Sequence, residues 1–234
     1  MPTTKAEARA ITIPLPDGQA VSALLSVAKN ARAIYVMAHG AGAGMAHPFL
    51  AKMSALLSER GISVLRYQFP YMEKKSRRPD SPAIAEACVA AAVSEARRLA
   101  PTLPVFAGGK SFGGRMTSNA EAHVRLAVRG IAFLGFPLHP PGAPSDARAA
   151  HLADVTVPML FLQGTKDEFA NPDLLRPVVR SLGSRATLHW VEGANHSFHV
   201  PKSSGRTDAD VMAGLADTLS QWMDAVLGRP LPPS

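Results

Sequence analysis

The chain of 234 residues is 47% hydrophobic and 18% charged, ample apolar material for one large buried core. A single cysteine, Cys88, excludes an internal disulfide framework and any multi-cysteine zinc site. The net charge of +7 is carried by scattered basic residues and the mixed-sign cluster EKKSRRPD at 73–80, with no basic stripe or nucleic-acid motif, so it reads as a solvated surface and no nucleic-acid partner is expected.

Read in chain order, short apolar runs alternate with helical patterns. In ITIPLPDGQAVSALLSVA, Ile11, Ile13 and Leu15 alternate before a Pro16-Asp17-Gly18 turn and a second strand, which predicts a hairpin. AIYVMA at 33–38 is continuously apolar, the mark of a strand buried on both faces. Phe49, Leu50, Met53, Leu56 and Leu57 then repeat at helical spacing up to Gly61, and a strand is expected over 62–67. An alanine-rich helix follows from Pro82 to Leu99, with Ile84, Cys88, Ala92 and Leu99 expected inward. Strands are expected at 104–108, 130–135, 158–163 and 186–191, with a helix after Ser111. Another helix is expected from Pro172, capped by Asn171, closed by Gly183 and kinked by Pro177. A final helix over 208–227 carries Val211, Met212, Leu215, Leu219, Trp222, Met223 and Val226 on its inward face.

This alternation predicts an α/β fold: one domain over 1–234, its mainly parallel, doubly wound sheet opened by an antiparallel hairpin. The end, from about 228 to 234, reads as a mobile tail. The chain has no run of apolar residues long enough for a membrane span, and its start lacks a basic segment followed by a long apolar stretch. A cytoplasmic protein without a membrane partner is therefore expected, and nothing in the chain specifies an oligomeric state.

The segment VFAGGKSFGGRM at 105–116 carries the functional question. GKS ends a phosphate-loop pattern, but that pattern needs glycine where Pro104 stands, so no phosphate cradle is built. HGAGAG at 39–44 likewise misses the dinucleotide fingerprint, since its third glycine falls on Met45 or on His47. Two readings remain: glycines that merely let a helix pack on a strand, or GKSFG as a nucleophile elbow with Ser111 at the tip and Gly109 and Gly113 as the small neighbours of a strained turn.

A serine hydroxyl needs a base to take its proton and a carboxylate to orient that base, in the chain order Ser, acid, His after successive strands. Asp167 follows the strand in PMLFLQGTKDEF, with Glu168 as its rival, and His196 follows the next strand in LHWVEGANHSF. Among the other histidines, His189 falls in a strand and His123 in a helix, while His47 and His199 miss the turn after the last strand. An oxyanion needs two backbone N–H donors, one from Phe112 after the nucleophile and one from AHGAGAGM, where Ala41 is the candidate. His39, Gly40, Tyr71 and Arg78 complete the candidates for the substrate-facing rim, His39 also as a brace of that loop.

Taken together, AHGAGAGMAHPF, LRYQFPYM, RRPD, GGKSFGGRM, LGFPLHPPG, LQGTKDEF and GANHSF resemble the lidless α/β-hydrolases over roughly residues 20–225. The resemblance is closest to the bacterial branch grouped with testis-expressed protein thirty and a non-specific-lethal histone acetyltransferase complex subunit. It is more distant to dienelactone hydrolases, which carry cysteine where this chain has Ser111. It implies an α/β-hydrolase fold with Ser111, Asp167 and His196 as triad. Only the proline-rich stretch 137–147 and ARAAHLADV separate the strands where many such enzymes insert a cap, so an open site is expected. The expected activity is hydrolysis of a small carboxylic ester or thioester through an acyl-enzyme, with no metal or organic cofactor. The alternative is a binding or scaffold protein that keeps the fold without turnover.

Overall fold

A computed structural model of the chain describes residues 8–228, so the expected tail lies outside the described residues from 229 onward. Eight strands form one sheet in the order β1-β2-β4-β3-β5-β6-β7-β8. The hairpin of β1 (Arg9–Pro14) and β2 (Ala20–Ser26) is antiparallel, and β2 also runs antiparallel to β4 (Ile62–Tyr67). The other neighbours are parallel: β3 (Ala33–Ala38), β5 (Val105–Lys110), β6 (Ile131–Leu134), β7 (Met159–Gly164) and β8 (Ala186–Val191). The continuous apolar runs become strands buried on both faces, as β3 and β7 are, whereas β8 at the open edge alternates in exposure.

Each face of the sheet carries its own core. On one side α1 (Pro48–Glu59) and α6 (Asp208–Val226) cover Tyr35, Met37, Phe106, Leu134 and Leu162. On the other, α3 (Pro82–Leu99), α4 (Phe112–Val124) and α5 (Pro172–Ser181) cover Val36, Leu65, Ala107, Phe133 and Phe161. A short helix, α2 (Pro70–Glu73), follows β4. The helix starts follow the local chemistry: Asn171 accepts from the Asp173 amide, and Thr207 forms a capping box with Asp210.

Two expectations shift. In α3 the buried face is Ala85, Cys88, Val89, Ala92, Val93 and Ala96, while Ile84 points outward at 47% exposure. The helix lies against its neighbours through small side chains, and the bulkier isoleucine is turned away from that face. Finally, β5 continues beyond residue 108 to Lys110, because Gly108 and Gly109 hold an extended backbone with φ of 146° and 149°.

Candidate active site

Ser111, Asp167 and His196 all sit just past the carboxyl ends of parallel strands, the side of an open α/β sheet where ligands bind. Ser111 joins β5 to α4 with φ 50° and ψ −118°, a conformation that costs an L-residue of order 1–3 kcal/mol and persists only where the surroundings fix it. Its fixation comes from backbone contact. A Cβ on Gly109 would lie 2.2 Å from the Ala38 carbonyl oxygen, and one on Gly113 would lie 2.5 Å from that of His39. Only glycine at both positions lets β5 and α4 close onto the end of β3, which drives the serine up at the tip of the turn.

The hydroxyl meets its partners there. Ser111 Oγ lies 2.9 Å from His196 Nε2, and His196 Nδ1 lies 2.8 Å from Asp167 Oδ2. A carboxylate only accepts, so Nδ1 carries the proton and Nε2 is left free to accept from the serine. The Asp167 side chain is 1% exposed, and its charge is met by three donors: His196 Nδ1, Gln163 Nε2 at 2.6 Å and the Phe169 amide at 2.8 Å. The Phe169 ring also packs against His196, tilted by 37° at 4.3 Å between centroids. The two loops are tied together by the Lys166 amide, which donates to the Ala194 carbonyl at 2.9 Å.

The rival residues lie elsewhere. Glu168 is exposed, His47 caps α1 through the Phe49 amide, His123 pairs with Glu86, and His199 pairs with Asp208. His189 is exposed on β8.

The loop after β3 lies directly against Ser111, since a Cβ on Gly40 would fall 3.7 Å from Ser111 Cβ. Among the described residues, neither the Ala41 nor the Phe112 amide donates to an acceptor of the chain, and Phe112 opens α4, where first-turn amides are free. The Gly40 carbonyl accepts from His39 Nδ1 at 2.7 Å, and His39 Nε2 accepts from the Phe69 amide at 3.1 Å. Burial pushes the His39 proton affinity down, which suits the neutral ring this pair of bonds requires. The Tyr71 hydroxyl accepts from the Gly42 amide at 2.9 Å. His39 and Tyr71, 0% and 2% exposed, thus lie beneath the loop and hold its backbone. Arg78 is exposed between α2 and α3, its backbone bonded to Ser76 Oγ, and none of these contacts reaches Ser111.

Over residues 31–224 the chain matches the family model described as an alpha/beta hydrolase domain. The chain belongs to the α/β hydrolases. Solved relatives of the same fold include a lidless α/β serine hydrolase from Xanthomonas campestris, 20% identical with a TM-score of 0.72 over 100% of both chains. A dienelactone hydrolase from Anabaena variabilis is 18% identical with a TM-score of 0.77, covering 94% of this chain and 98% of that one. Est1E from Butyrivibrio proteoclasticus is 14% identical with a TM-score of 0.72, covering 94% and 99%. As in the first of these, this α/β hydrolase carries no cap: between β6 and β7 stand only a loop and a 3-10 helix at Ala147–Asp154. Among the described residues no helix is long and apolar enough to cross a membrane, and no group of three His, Cys, Asp or Glu side chains is placed to hold a metal.

Three further residues at the site were given no role by the sequence. Gln163, the last polar residue of an apolar strand, donates to Asp167 and accepts from the Phe136 amide at 2.8 Å. A fully buried glutamine in a strand of Met, Leu and Phe is the signal that could have found it. His139, 4% exposed, lies 2.9 Å from the Pro140 carbonyl through Nδ1 and accepts from the Asn171 amide at 2.9 Å through Nε2. It thereby ties the loop after β6 to the end of the loop that carries Asp167. The third, Lys110, has its ammonium shut off from solvent beside the same loop.

Proposed function

We propose that the protein is a serine hydrolase that cleaves a carboxylic ester or thioester through an acyl-enzyme. The observation that carries this reading is a strained Ser111 whose hydroxyl meets His196 at 2.9 Å, with a buried, triply bonded Asp167 behind the imidazole. Ser111 Oγ attacks the acyl carbon while His196 Nε2 takes its proton. Asp167 holds the ring in the required tautomer and stabilises the imidazolium. The oxyanion is received by the Ala41 and Phe112 amides, and His196 then returns the proton to the departing alkoxide or thiolate. A water, deprotonated by the same nitrogen, attacks the acyl carbon and releases the acid and Ser111.

In this scheme His39, Gly40 and Tyr71 serve the oxyanion loop, and Arg78 lies on the rim toward an anionic group of the substrate. The short connection between β6 and β7 favours small esters or acyl groups presented at an open mouth. The test is labelling by a fluorophosphonate probe, beside Ser111→Ala and His196→Ala. Labelling of the parent chain alone is expected. A well-folded parent chain that takes no label would overturn the reading and favour a scaffold that keeps the fold without turnover.

A further inference from the structure

Ser111 is fixed by main chain against main chain, but the loop after β3 has little to hold it from within. It runs through Gly40, Ala41, Gly42, Ala43, Gly44 and Met45, with Gly42 and Gly44 at φ of 73° and 74°. Apart from Met45 these residues offer almost no side chain to pack, and glycine leaves the backbone free to move. The loop closes two turns on itself: the Ala43 amide donates to the Gly40 carbonyl at 3.2 Å, and the His47 amide to the Gly44 carbonyl at 3.3 Å. Further order comes from the end of β4 and the start of α2. Tyr71 holds Gly42 there. Two more side chains of that segment close on Met45: its amide donates to Gln68 Oε1 at 2.8 Å, and its carbonyl accepts from Arg66 Nη1 at 3.1 Å. The Gln68 amide lies along the loop, since a Cβ on Gly44 would stand 3.3 Å from Oε1 and 3.5 Å from Nε2. Arg66 is 5% exposed, and its Nε has no partner among the described residues. Nor does any carboxylate among them pair with its guanidinium. A buried cation without a counter-ion is costly to keep. The bond that this one makes is to the loop that lies against Ser111.

We propose that Gln68 and Arg66 are positioning residues that clamp Met45 and thereby hold the Ala41 amide in place to receive the oxyanion. This rests on the hydrolase reading of the same site. Both residues act through Met45 and touch no reacting atom. With the N–H and the C=O of one residue both bound, the peptide planes before and after it are held against rotation. The turn at 44–47 then becomes a fixed post for the turn at 40–43, which His39 and Tyr71 hold at Gly40 and Gly42. The charge on Arg66 makes its bond to the Met45 carbonyl the stronger of the two. An oxyanion donor is effective when it is in place before charge develops, because it then needs no reorganisation as the reaction proceeds. A loop freed at Met45 would bind a substrate as before yet receive the oxyanion less well.

The test is the rate at which the full chain reacts with a fluorophosphonate, followed over probe concentration. Gln68→Leu and Arg66→Met are each expected to lower the maximal labelling rate about tenfold, part of the cost of losing an oxyanion donor outright. The probe concentration at half-maximal rate and the final labelled fraction are expected to stay at the parent values. Loss of fold would lower the labelled fraction instead. Gln68→Glu, which still accepts from the Met45 amide, and Arg66→Lys, which still donates, are expected to recover most of the rate. Gln68→Asn, polar but one methylene shorter, is expected to behave as Gln68→Leu and decides where that variant does not fold. Variants that label at the parent rate overturn the proposal and leave the hydrolase reading standing. A lower rate that Gln68→Glu does not restore does the same. A well-folded parent chain that takes no label overturns both.

Discussion

The strands on either side of β5 end in loops that each rest on a buried histidine, and those two histidines are wired alike. His39 after β3 and His139 after β6 each set Nδ1 against the carbonyl of the following residue and accept a backbone N–H at Nε2, from Phe69 and Asn171 respectively. His196 has the same tautomer but spends both nitrogens on side chains, a carboxylate and a hydroxyl. The lesson is one of partners. A ring held between backbone groups fixes two loops in place, whereas a ring held between a carboxylate and a hydroxyl has a proton to move. Ser111 therefore stands between two braced loops, with the His196 imidazole against its hydroxyl.

This contrast can be broken by experiment. The largest effect is expected from His196→Gln, where an amide offers hydrogen bonds but no basic nitrogen: the fluorophosphonate labelling rate should fall by up to about 10⁶-fold, the order of the cost of losing the base of such a triad. Asp167→Asn comes next, at about 10³- to 10⁴-fold, because the donor it places against Nδ1 favours the wrong tautomer.

The braces should behave otherwise. His39→Ala leaves the Phe69 amide unpaired under the oxyanion loop and is expected to slow labelling by roughly 10²-fold, comparable to losing one oxyanion donor. His39→Gln, which can still donate and accept, should recover most of it. If glutamine rescues His196 as well as it rescues His39, the distinction fails. His139→Gln is expected to act mainly on stability, lowering it by about 1 kcal/mol in denaturant unfolding, with labelling changed only a few-fold.

The smallest effect concerns pH. Burial is the main cause that lowers the proton affinities of His39 and His151, the latter to about 4. An unfolded imidazole takes its proton near pH 6.5, so the unfolded chain binds protons that the folded chain refuses. Stability should be whole above about pH 6.5 and fall as the pH drops toward 4. Melting temperatures across that window check this, with His39→Gln and His151→Gln each giving a flatter curve than the parent.

Much of this was legible in the sequence because it is local. A continuous apolar run predicts a buried strand, and turns after strands predict where Ser111, Asp167 and His196 emerge. Ile84 was misplaced because helical spacing alone does not say which of two apolar stripes meets the sheet, and the alanine-rich stripe packs closer. The braces were legible in part: His39 could be read as one, but its partner Phe69 could not. Gln163 could have been read as the polar residue of an apolar strand four positions before Asp167, whereas the bond from His139 to the Asn171 amide and the surroundings of the Lys110 ammonium were not legible, since the crossovers of a parallel sheet bring those groups together. The strand run to Lys110 was hidden for a different reason. Glycine signals a turn, yet at 108 and 109 it serves an extended backbone pressed against the carbonyls of Ala132 and Ala38.

That close approach has a consequence for how such a protein changes over generations. Because Ser111 is located by main chain touching main chain, its position owes little to the side chains that surround the mouth. The exposed positions of the loop from α2 to α3 and of residues 140–147 can exchange without disturbing the anchor. Selection is thus free to redraw what the protein accepts while the chemistry beneath stays where the glycines put it.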